Sequence, residues 1–364
     1  MEFSAAIYVL VCSVAISMGY FVAISGLHRF KVRNIKVKDA IPVSVIIAAK
    51  DEEHNLRKLL PIILTQAYDQ FEVIVVDDHS TDGTLSVLEA LGASHDNLKY
   101  AGLAHSHGKK SAITQGIEMA KNDWLLFTDA DCSPISVKWI SSMMSAVLPD
   151  TSIVLGYSPF LRTGGLVNAM ARVDAFSIGV QYLAFALLGR PYMGVGRNMA
   201  YRKSLFQSSG GFERHKDVLS GDDDLFVQGA ASAVNTTIAF EPDAQTTSES
   251  KTTLIELFIQ KRRHISTGFR YKKSILVMLG LVQVNNLLFY TALAASVFEG
   301  TFIWIGLVLA LLRFYSQYVV LKKSAHRLGE VDLLLLSLSL ELPLAVFSLL
   351  VVTSNIIYDT RRWS

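Results

Sequence analysis

The sequence predicts an α/β domain, with a mostly parallel sheet and flanking helices, held between transmembrane helices at both ends of the chain. Three observations carry that prediction. Short β-branched runs alternate with helical patterns through the middle of the chain. Long, nearly uncharged apolar runs fill its beginning and its last third. The composition is also too apolar for a soluble domain alone: 51% hydrophobic and 18% charged, against about 25% charged in ordinary soluble domains. Mean hydropathy is +0.35. At 364 residues the chain has room for one large domain plus membrane segments. A net charge of +2 lacks the basic bias of proteins that track phosphate backbones, so nucleic acid is not an expected partner. The two cysteines, Cys12 in an apolar run and Cys132 in the middle domain, exclude a disulfide framework and suit a reducing compartment.

The first element is an anchor over residues 1–27. Its apolar run, Phe3 to Ile24, has the roughly 20 residues that cross a hydrocarbon core. Basic residues follow the run rather than precede it: His28, Arg29, Lys31, Arg33, Lys36 and Lys38. That order fits an uncleaved anchor with its C-terminal flank in the cytoplasm better than a cleaved signal peptide.

Residues 40–252 are expected to form the cytoplasmic α/β domain. VSVIIAA (43–49), FEVIVVDD (71–78) and WLLFTDAD (124–131) read as buried parallel strands that end in polar residues. Between them lie helical patterns from Glu52 to Gln66, with Leu56, Leu59, Leu60, Ile63 and Leu64 apolar, and from Lys110 to Ala120. Ligands of such sheets bind at the carboxyl ends of the strands. Residues 253–273 read as a basic amphipathic helix on a membrane surface. Residues 274–364 hold apolar runs at 275–298, 301–321 and 331–357, giving two to three spans or a re-entrant segment. The first two runs form a hairpin ending at LKKSAHR (321–327). The third carries Glu341 and Pro343, and whether it crosses or turns back decides the side of Arg361 and Arg362. A multi-pass protein of a bacterial inner membrane is expected.

Each predicted strand delivers acids at its end: Asp51-Glu52-Glu53, Asp77-Asp78, and Asp129-Ala130-Asp131. Carboxylates converging on one sheet edge repel one another unless they share a cation. A hard divalent ion with oxygen ligands, Mg²⁺ or Mn²⁺, fits, and it would neutralise a departing diphosphate. Taken singly, each acid also reads as a helix cap or a solvated loop residue. Alternation along a strand would put Asp129 and Asp131 on one side. A second cluster, Asp222-Asp223-Asp224, reads either as a helix N-terminus answering its dipole or as a general base whose pKa is raised by crowding. His105, His107 and His215 show no metal-ligand spacing and read as surface histidines; nothing around Cys132 suggests nucleophilic chemistry.

VSVIIAAKDEE, VIVVDDHSTDGT, GKKSAITQGI and LLFTDAD resemble, in order, successive blocks of family 2 glycosyltransferases with a GT-A fold, over about residues 42–270. The resemblance implies that Asp51, Glu52 and Asp78 hold the nucleoside and that Lys109 or Lys110 lies near the nucleotide. It implies that Asp129 and Asp131 form the D-x-D motif, with Asp131 the direct metal ligand and Asp129 also facing the nucleotide-sugar. By register with the family's acidic pair, Asp223 is the expected catalytic base and Asp222 the alternative. Gln260-Lys261-Arg262-Arg263-His264 resembles the Q-x-x-R-W motif of membrane-bound members, with His264 where the motif has tryptophan. Gln260, Arg262 and Arg263 are thereby implied in gripping the diphosphate, and the missing tryptophan weakens a polysaccharide-synthase reading. Arg197 and Asn198, after Gly194-Val195-Gly196, match a loop beside the donor and acceptor sugars.

The expected activity is inverting, metal-dependent transfer of a sugar from a UDP- or GDP-type donor to a lipid or lipid-linked acceptor at the membrane. The alternatives are a processive polysaccharide synthase, for which about four spans are few, and a non-catalytic scaffold, against which the intact acids weigh.

Overall fold

A computed structural model of the chain describes residues 4–30, 40–103, 107–218, 220–300 and 303–358. Lys31, Arg33, Lys36, Lys38, His105, Arg361 and Arg362 lie outside the described residues. In chain order the helices are α1 (Ala5–Ile24), α2 (Gly26–Arg29), α3 (Glu53–Leu64), α4 (Thr84–Gly92), α5 (Lys109–Met119), α6 (Trp139–Met144) and α7 (Gly165–Leu187). They continue with α8 (Lys203–Ser208), α9 (Asp224–Ala230), α10 (Leu254–Gly268), α11 (Lys273–Glu299), α12 (Ile303–Leu328), α13 (Leu333–Ser339) and α14 (Glu341–Ile357). The strands are β1 (Val43–Ala49), β2 (Phe71–Asp77), β3 (Leu98–Gly102), β4 (Trp124–Phe127), β5 (Ser133–Pro134), β6 (Ile153–Gly156), β7 (Met199–Arg202), β8 (Thr236–Ala239) and β9 (Thr246–Thr247).

The chain divides into two compact units. One gathers Met1–Phe30, Gly164–Phe185 and Lys251–Ser364; the other gathers Lys31–Thr163 and Ala186–Ser250. Sequence reading put 164–185 inside the 40–252 domain, but almost all of α7 groups with the terminal segments. The reason is visible in its contacts. Arg172, midway along α7, is buried and donates to Glu330 at 2.6 Å and to Asp332 at 2.7 Å.

The sheet unit is built on seven strands in the order β3-β2-β1-β4-β7-β6-β8. β1 lies parallel between β2 and β4, and β3 is parallel to β2. β7 runs antiparallel to both β4 and β6, and β8 is parallel to β6. Strands covered on both faces read as continuous apolar runs, and VSVIIAA and FEVIVVD do so: nearly every residue is buried. α3 turns Leu56, Leu60, Ile63 and Leu64 onto this core with Val45, Val75 and Trp139. The parallel arrangement directs the carboxyl ends of β1, β2 and β4 to one edge.

In the helical unit, α1 packs against α11 and α12, and α10 packs against α14. Among the described residues three helices are long and apolar enough to cross a membrane: Ala5–Arg29, Lys273–Glu299 and Ile303–Leu328. The last runs through the LKKSAHR segment at its C-terminal end. α13 and α14 together pass the same test but bend by 61° at Leu340. Pro343 lies in the first turn of α14, where a missing N–H costs nothing, but it prevents α13 from continuing straight.

Polarity in this unit is arranged inside out. Phe298 and Trp304 point outward at 91% and 77% exposure, while Ser13, Ser17, Asn285, Arg313 and Gln317 are buried. Arg313 is fully enclosed. It donates to Glu341 Oε1 at 2.8 Å and Oε2 at 2.9 Å, to Asn286 at 3.1 Å and to Ser17 at 3.2 Å, and its guanidinium carbon lies 4.2 Å from the Phe289 ring centroid. Tyr290 and Gln317 also donate to Glu341. Removing one partner of a buried ion pair costs roughly 3–5 kcal/mol, whereas replacing both by apolar groups is often neutral. Arg313→Met is therefore expected to lower the midpoint of thermal unfolding in detergent sharply, and Arg313→Met with Glu341→Met to recover most of the loss.

Candidate active site

Glu52, after β1, meets Asp129 and Asp131, after β4, whereas Asp78, after β2, stands in a separate group with His79 and His107. Asp51 and His79 follow their strands in the left-handed region, with φ of 53° and 57°, a conformation that non-glycine residues adopt only when surroundings enforce it. The enforcement is explicit. Asp51 Oδ1 accepts from Thr81 N–H at 2.7 Å, and Ser80 Oγ accepts from Asp51 N–H at 2.8 Å. Glu53 Oε2 accepts from Gly83 N–H at 3.0 Å, where an added Cβ would meet the Glu53 carboxyl at 2.5 Å. Asp51 and Glu53 thus tie the loop after β2 to the loop after β1.

Asp78 is buried, accepts from Gly108 N–H at 2.8 Å, and faces the imidazoles of His79 at 3.3 Å and His107 at 3.9 Å. Ligand atoms of these three residues lie within 4.8 Å of one another, a grouping that sequence spacing does not show. His107 is exposed as expected, but His215 is buried against Phe212.

β4 ends at Phe127, so the D-x-D acids lie beyond the strand. Cys132 N–H bonds back to Asp129 C=O at 3.1 Å, closing a turn across Asp129–Cys132. Strand alternation therefore does not place the two carboxylates; the turn does. Atoms of Asp129, Asp131 and Cys132 fall within 4.8 Å of one another, with Asp131 exposed and Cys132 buried. Burial, and then the charges of Asp129 and Asp131, push the Cys132 thiol well above its usual range, so it stays protonated and offers no nucleophile.

Lys109 opens α5 and is the one of the two adjacent lysines that reaches the acids. Its ammonium lies 2.7 Å from Asp129 Oδ1 and 3.3 Å from Asp222 Oδ2. Burial alone would lower its pKa, but Asp129 and Asp222 outweigh that and hold it well above the ordinary lysine value. Lys110 instead donates to the carbonyls of His215 and Val218 at 2.6 and 2.7 Å, holding down the segment that leads to the second acidic cluster. Glu52 joins the same group of charges. Burial raises its pKa, a bond from Asn55 opposes this, and Asp131, Asp129 and Asp82 raise it further.

In the second cluster Asp222 is buried beside Lys109, whereas Asp223 Oδ2 accepts from Gly196 N–H at 2.9 Å and its Oδ1 from Asp224 N–H at 2.7 Å. Burial first, then Asp224 and Asp222, push Asp223 up to about 7, with Lys109 pulling the other way. Asp223 is the N-cap of α9, as the helix-terminus reading expects, and its carboxyl is the one that crowding raises. Phe127 and Tyr201, stacked at 4.3 Å, floor the crevice between Lys109 and Asp222, a feature for which the sequence carries no signal.

The remaining expected residues make the following contacts. Asn198 is fully buried: Trp139 Nε1–H donates to its Oδ1 at 3.0 Å, and its Nδ2 donates to the carbonyls of Tyr157 and Ala244 at 2.7 and 2.9 Å. It is a core staple, not a sugar contact. Arg197 donates to Ser158 C=O at 2.9 Å and lies over the Phe160 ring. Gln260, Arg262 and Arg263 lie on α10 in the helical unit. There Arg262 donates to Asn355 Oδ1 and Tyr358 C=O at 2.9 and 2.8 Å, which ties it to the end of α14.

Two family models match the chain: glycosyl transferase family 2 over residues 44–210, and glycosyl transferase family group 2 over residues 149–354, more than half the chain. The chain belongs to glycosyltransferase family 2. Glycosyltransferase AglE of Haloferax volcanii is 28% identical over 194 residues, 52% of this chain and 62% of that protein. A poly-β-1,6-N-acetyl-D-glucosamine synthase of Staphylococcus epidermidis is 28% identical over 89 residues, 24% of this chain and 21% of that one. This glycosyltransferase thus matches less than two thirds of the length of either relative. A mannosyltransferase from Pyrobaculum calidifontis, solved with GDP-Man and Mn²⁺, superposes with a TM-score of 0.58 at 18% identity, covering 93% of this chain and 99% of that one. That likeness extends to the GT-A fold.

Asn198→Leu leaves the Trp139 N–H and two carbonyls unpaired in the core. At about 1–3 kcal/mol for each stranded group, the variant is expected to lose several degrees of thermal stability or fail to fold.

Proposed function

We propose that this glycosyltransferase moves a sugar, with inversion, from a UDP- or GDP-type donor to a lipid or lipid-linked acceptor at a membrane surface. The observation that carries the reading is the meeting of Glu52, Asp129, Asp131, Lys109, Asp222 and Asp223 at one edge of a parallel sheet. Asp78, buried in the loop after β2, would hold the nucleoside. Asp131 and Asp129 would hold a divalent cation. Their fit to one rests on oxygen donors within sharing distance, Asp131 exposed, and Glu52 crowded against both. The GDP-Man and Mn²⁺ in complex with the Pyrobaculum calidifontis mannosyltransferase agree with that chemistry. Such a cation supplies charge neutralisation to a departing diphosphate.

The chain's own groups do the rest. Asp223 takes the proton of the acceptor hydroxyl as its oxygen bonds to the anomeric carbon. The bond from that carbon to the diphosphate oxygen breaks on the opposite face, and the nucleoside diphosphate leaves with the bonding electrons. Asp223 suits this task better than Asp222, because a base near pH 7 is efficient and Asp222 is engaged with Lys109. Lys109 binds Asp129 and Asp222 together and so keeps the two acidic clusters from repelling each other. The apolar exteriors and polar interior of the helical unit support membrane residence, and we place the sheet unit in the cytoplasm, with α10 along the membrane surface.

Transfer by membranes supplied with a panel of radiolabelled nucleotide-sugars, followed by extraction of the lipid-soluble product, tests the reading. Asp131→Ala and Asp223→Asn are each expected to reduce turnover about 10²–10⁴-fold while folding normally. Full activity in both would remove the mechanism. The pH profile gives an independent check. The base form of Asp223 is needed, so log(kcat/KM) should rise with unit slope up to pH about 7 and then level. Lys109→Met removes the positive charge that holds Asp223 down, so the rising limb should move to higher pH.

A further inference from the structure

Two imidazoles and a carboxylate meet in the sheet unit, at the loop after β2 and the approach to α5. Asp78 Oδ1 faces His79 Nδ1 at 3.3 Å and His107 Nδ1 at 3.9 Å. The two rings lie over one another, with centroids 4.2 Å apart and planes 36° from parallel, so each turns its Nδ1 toward the same oxygen. The other oxygen is engaged elsewhere: Asp78 Oδ2 accepts from Gly108 N–H at 2.8 Å and lies 4.0 Å from the Lys50 ammonium. Supporting bonds of this kind fix the orientation of metal-ligating groups, and here they leave Oδ1 to the histidines. His79 stands on a left-handed backbone with φ of 57°, and Ser80 secures the turn by bonding to Asp77 through both its N–H and its hydroxyl.

The spacing suits one small ion. Tetrahedral bonds of about 2.0–2.2 Å put ligand atoms about 3.3–3.6 Å apart. Asp78 and His79 already stand at that separation. The His107 side chain is 73% exposed and needs a shift of only about half an ångström to join them. Neutral imidazole suits Zn²⁺ and its neighbours in the first transition row, whereas carboxylates alone suit harder ions. The trio shares no residue with the grouping of Asp129, Asp131 and Cys132. We propose that Asp78, His79 and His107 form a second metal site, for a borderline transition ion such as Zn²⁺, with three protein ligands and a fourth position left to solvent. An ion there occupies the carboxylate to which the catalytic reading gives the nucleoside, so filling the site shuts out the donor. That consequence rests on the catalytic reading; binding of the ion does not.

The test uses the untagged full chain in detergent, with Mg²⁺ in excess and Co²⁺ as the probe. Four-coordinate Co²⁺ absorbs strongly in the visible, and the ion in an octahedral all-oxygen site does not. Wild type should develop those bands near one equivalent of Co²⁺, and Zn²⁺ should remove them. His79→Asn, which tolerates the left-handed backbone, and His107→Ala should each weaken Co²⁺ binding about 10–100-fold or more, since even the supporting residues of metal sites are worth that much. Both side chains are exposed, so the substitutions spare the core. Asp131→Ala should keep the wild-type bands. Their absence from wild type, their persistence in both histidine variants, or their loss in Asp131→Ala overturns the proposal. In transfer assays Zn²⁺ should raise the KM for the nucleotide-sugar with kcat unchanged, and His107→Ala should relieve the inhibition. Cobalt bands without any rise in KM would leave the metal site standing and take the nucleoside away from Asp78. Loss of turnover in Asp131→Ala with no bands in wild type would sink this inference and leave the catalytic reading intact.

Discussion

The sheet unit is organised around like-charge repulsion at its carboxyl edge. Parallel strands bring Glu52, Asp129 and Asp131 together, and the α9 start adds Asp222 and Asp223. Left alone, such groups would separate or take up protons. Lys109 opposes both by standing 2.7 Å from one cluster and 3.3 Å from the other. The surrounding structure holds the arrangement in place. Asp51 and Glu53 clamp the loops after β1 and β2, Lys110 pins the segment before Asp222, and Asn198 locks the loop whose Gly196 N–H reaches Asp223. These residues act by fixing where the acids stand, and a divalent cation would meet a site already formed.

The helical unit solves the opposite problem. Its exterior is apolar, so burial in a low-dielectric medium falls on the polar residues inside. Arg313 and Glu341 meet that cost by satisfying one another and four neighbours, rather than by facing solvent. The bend at Leu340 helps, because it starts a new helix at Glu341 and leaves that carboxylate beside α12.

Much of the fold was legible because burial writes periodicity into sequence. β1 spans the predicted residues 43–49, and the five apolar positions read for α3 are all buried. The site was legible as residue types but less so as geometry. Lys109 and Lys110 are neighbours on a helix, about 100° apart around its axis, and only the partner loops decide which one meets the acids. The D-x-D turn was hidden because Thr128 and the residues after it still look like strand. Asn198 looked functional since a polar residue near Gly-x-Gly gives no hint that a tryptophan from α6 will cap it. α7 was missed as part of the helical unit because its sequence, apolar on nearly every side, suits a sheet face equally well. The side chains that hold it, Glu330 and Asp332, stand some 160 residues away.

The bond between Ser17 and Asn285 joins residues 268 positions apart. At translation speeds of about 5–20 residues per second, α1 waits roughly 13 to 54 seconds before its partner helix is even synthesised. During that interval α7 is made first, and its Gln181 donates to the Tyr20 hydroxyl of α1. Assembly of this enzyme is therefore governed by the ribosome's clock: the helical unit closes last, after the sheet between its halves has had time to fold.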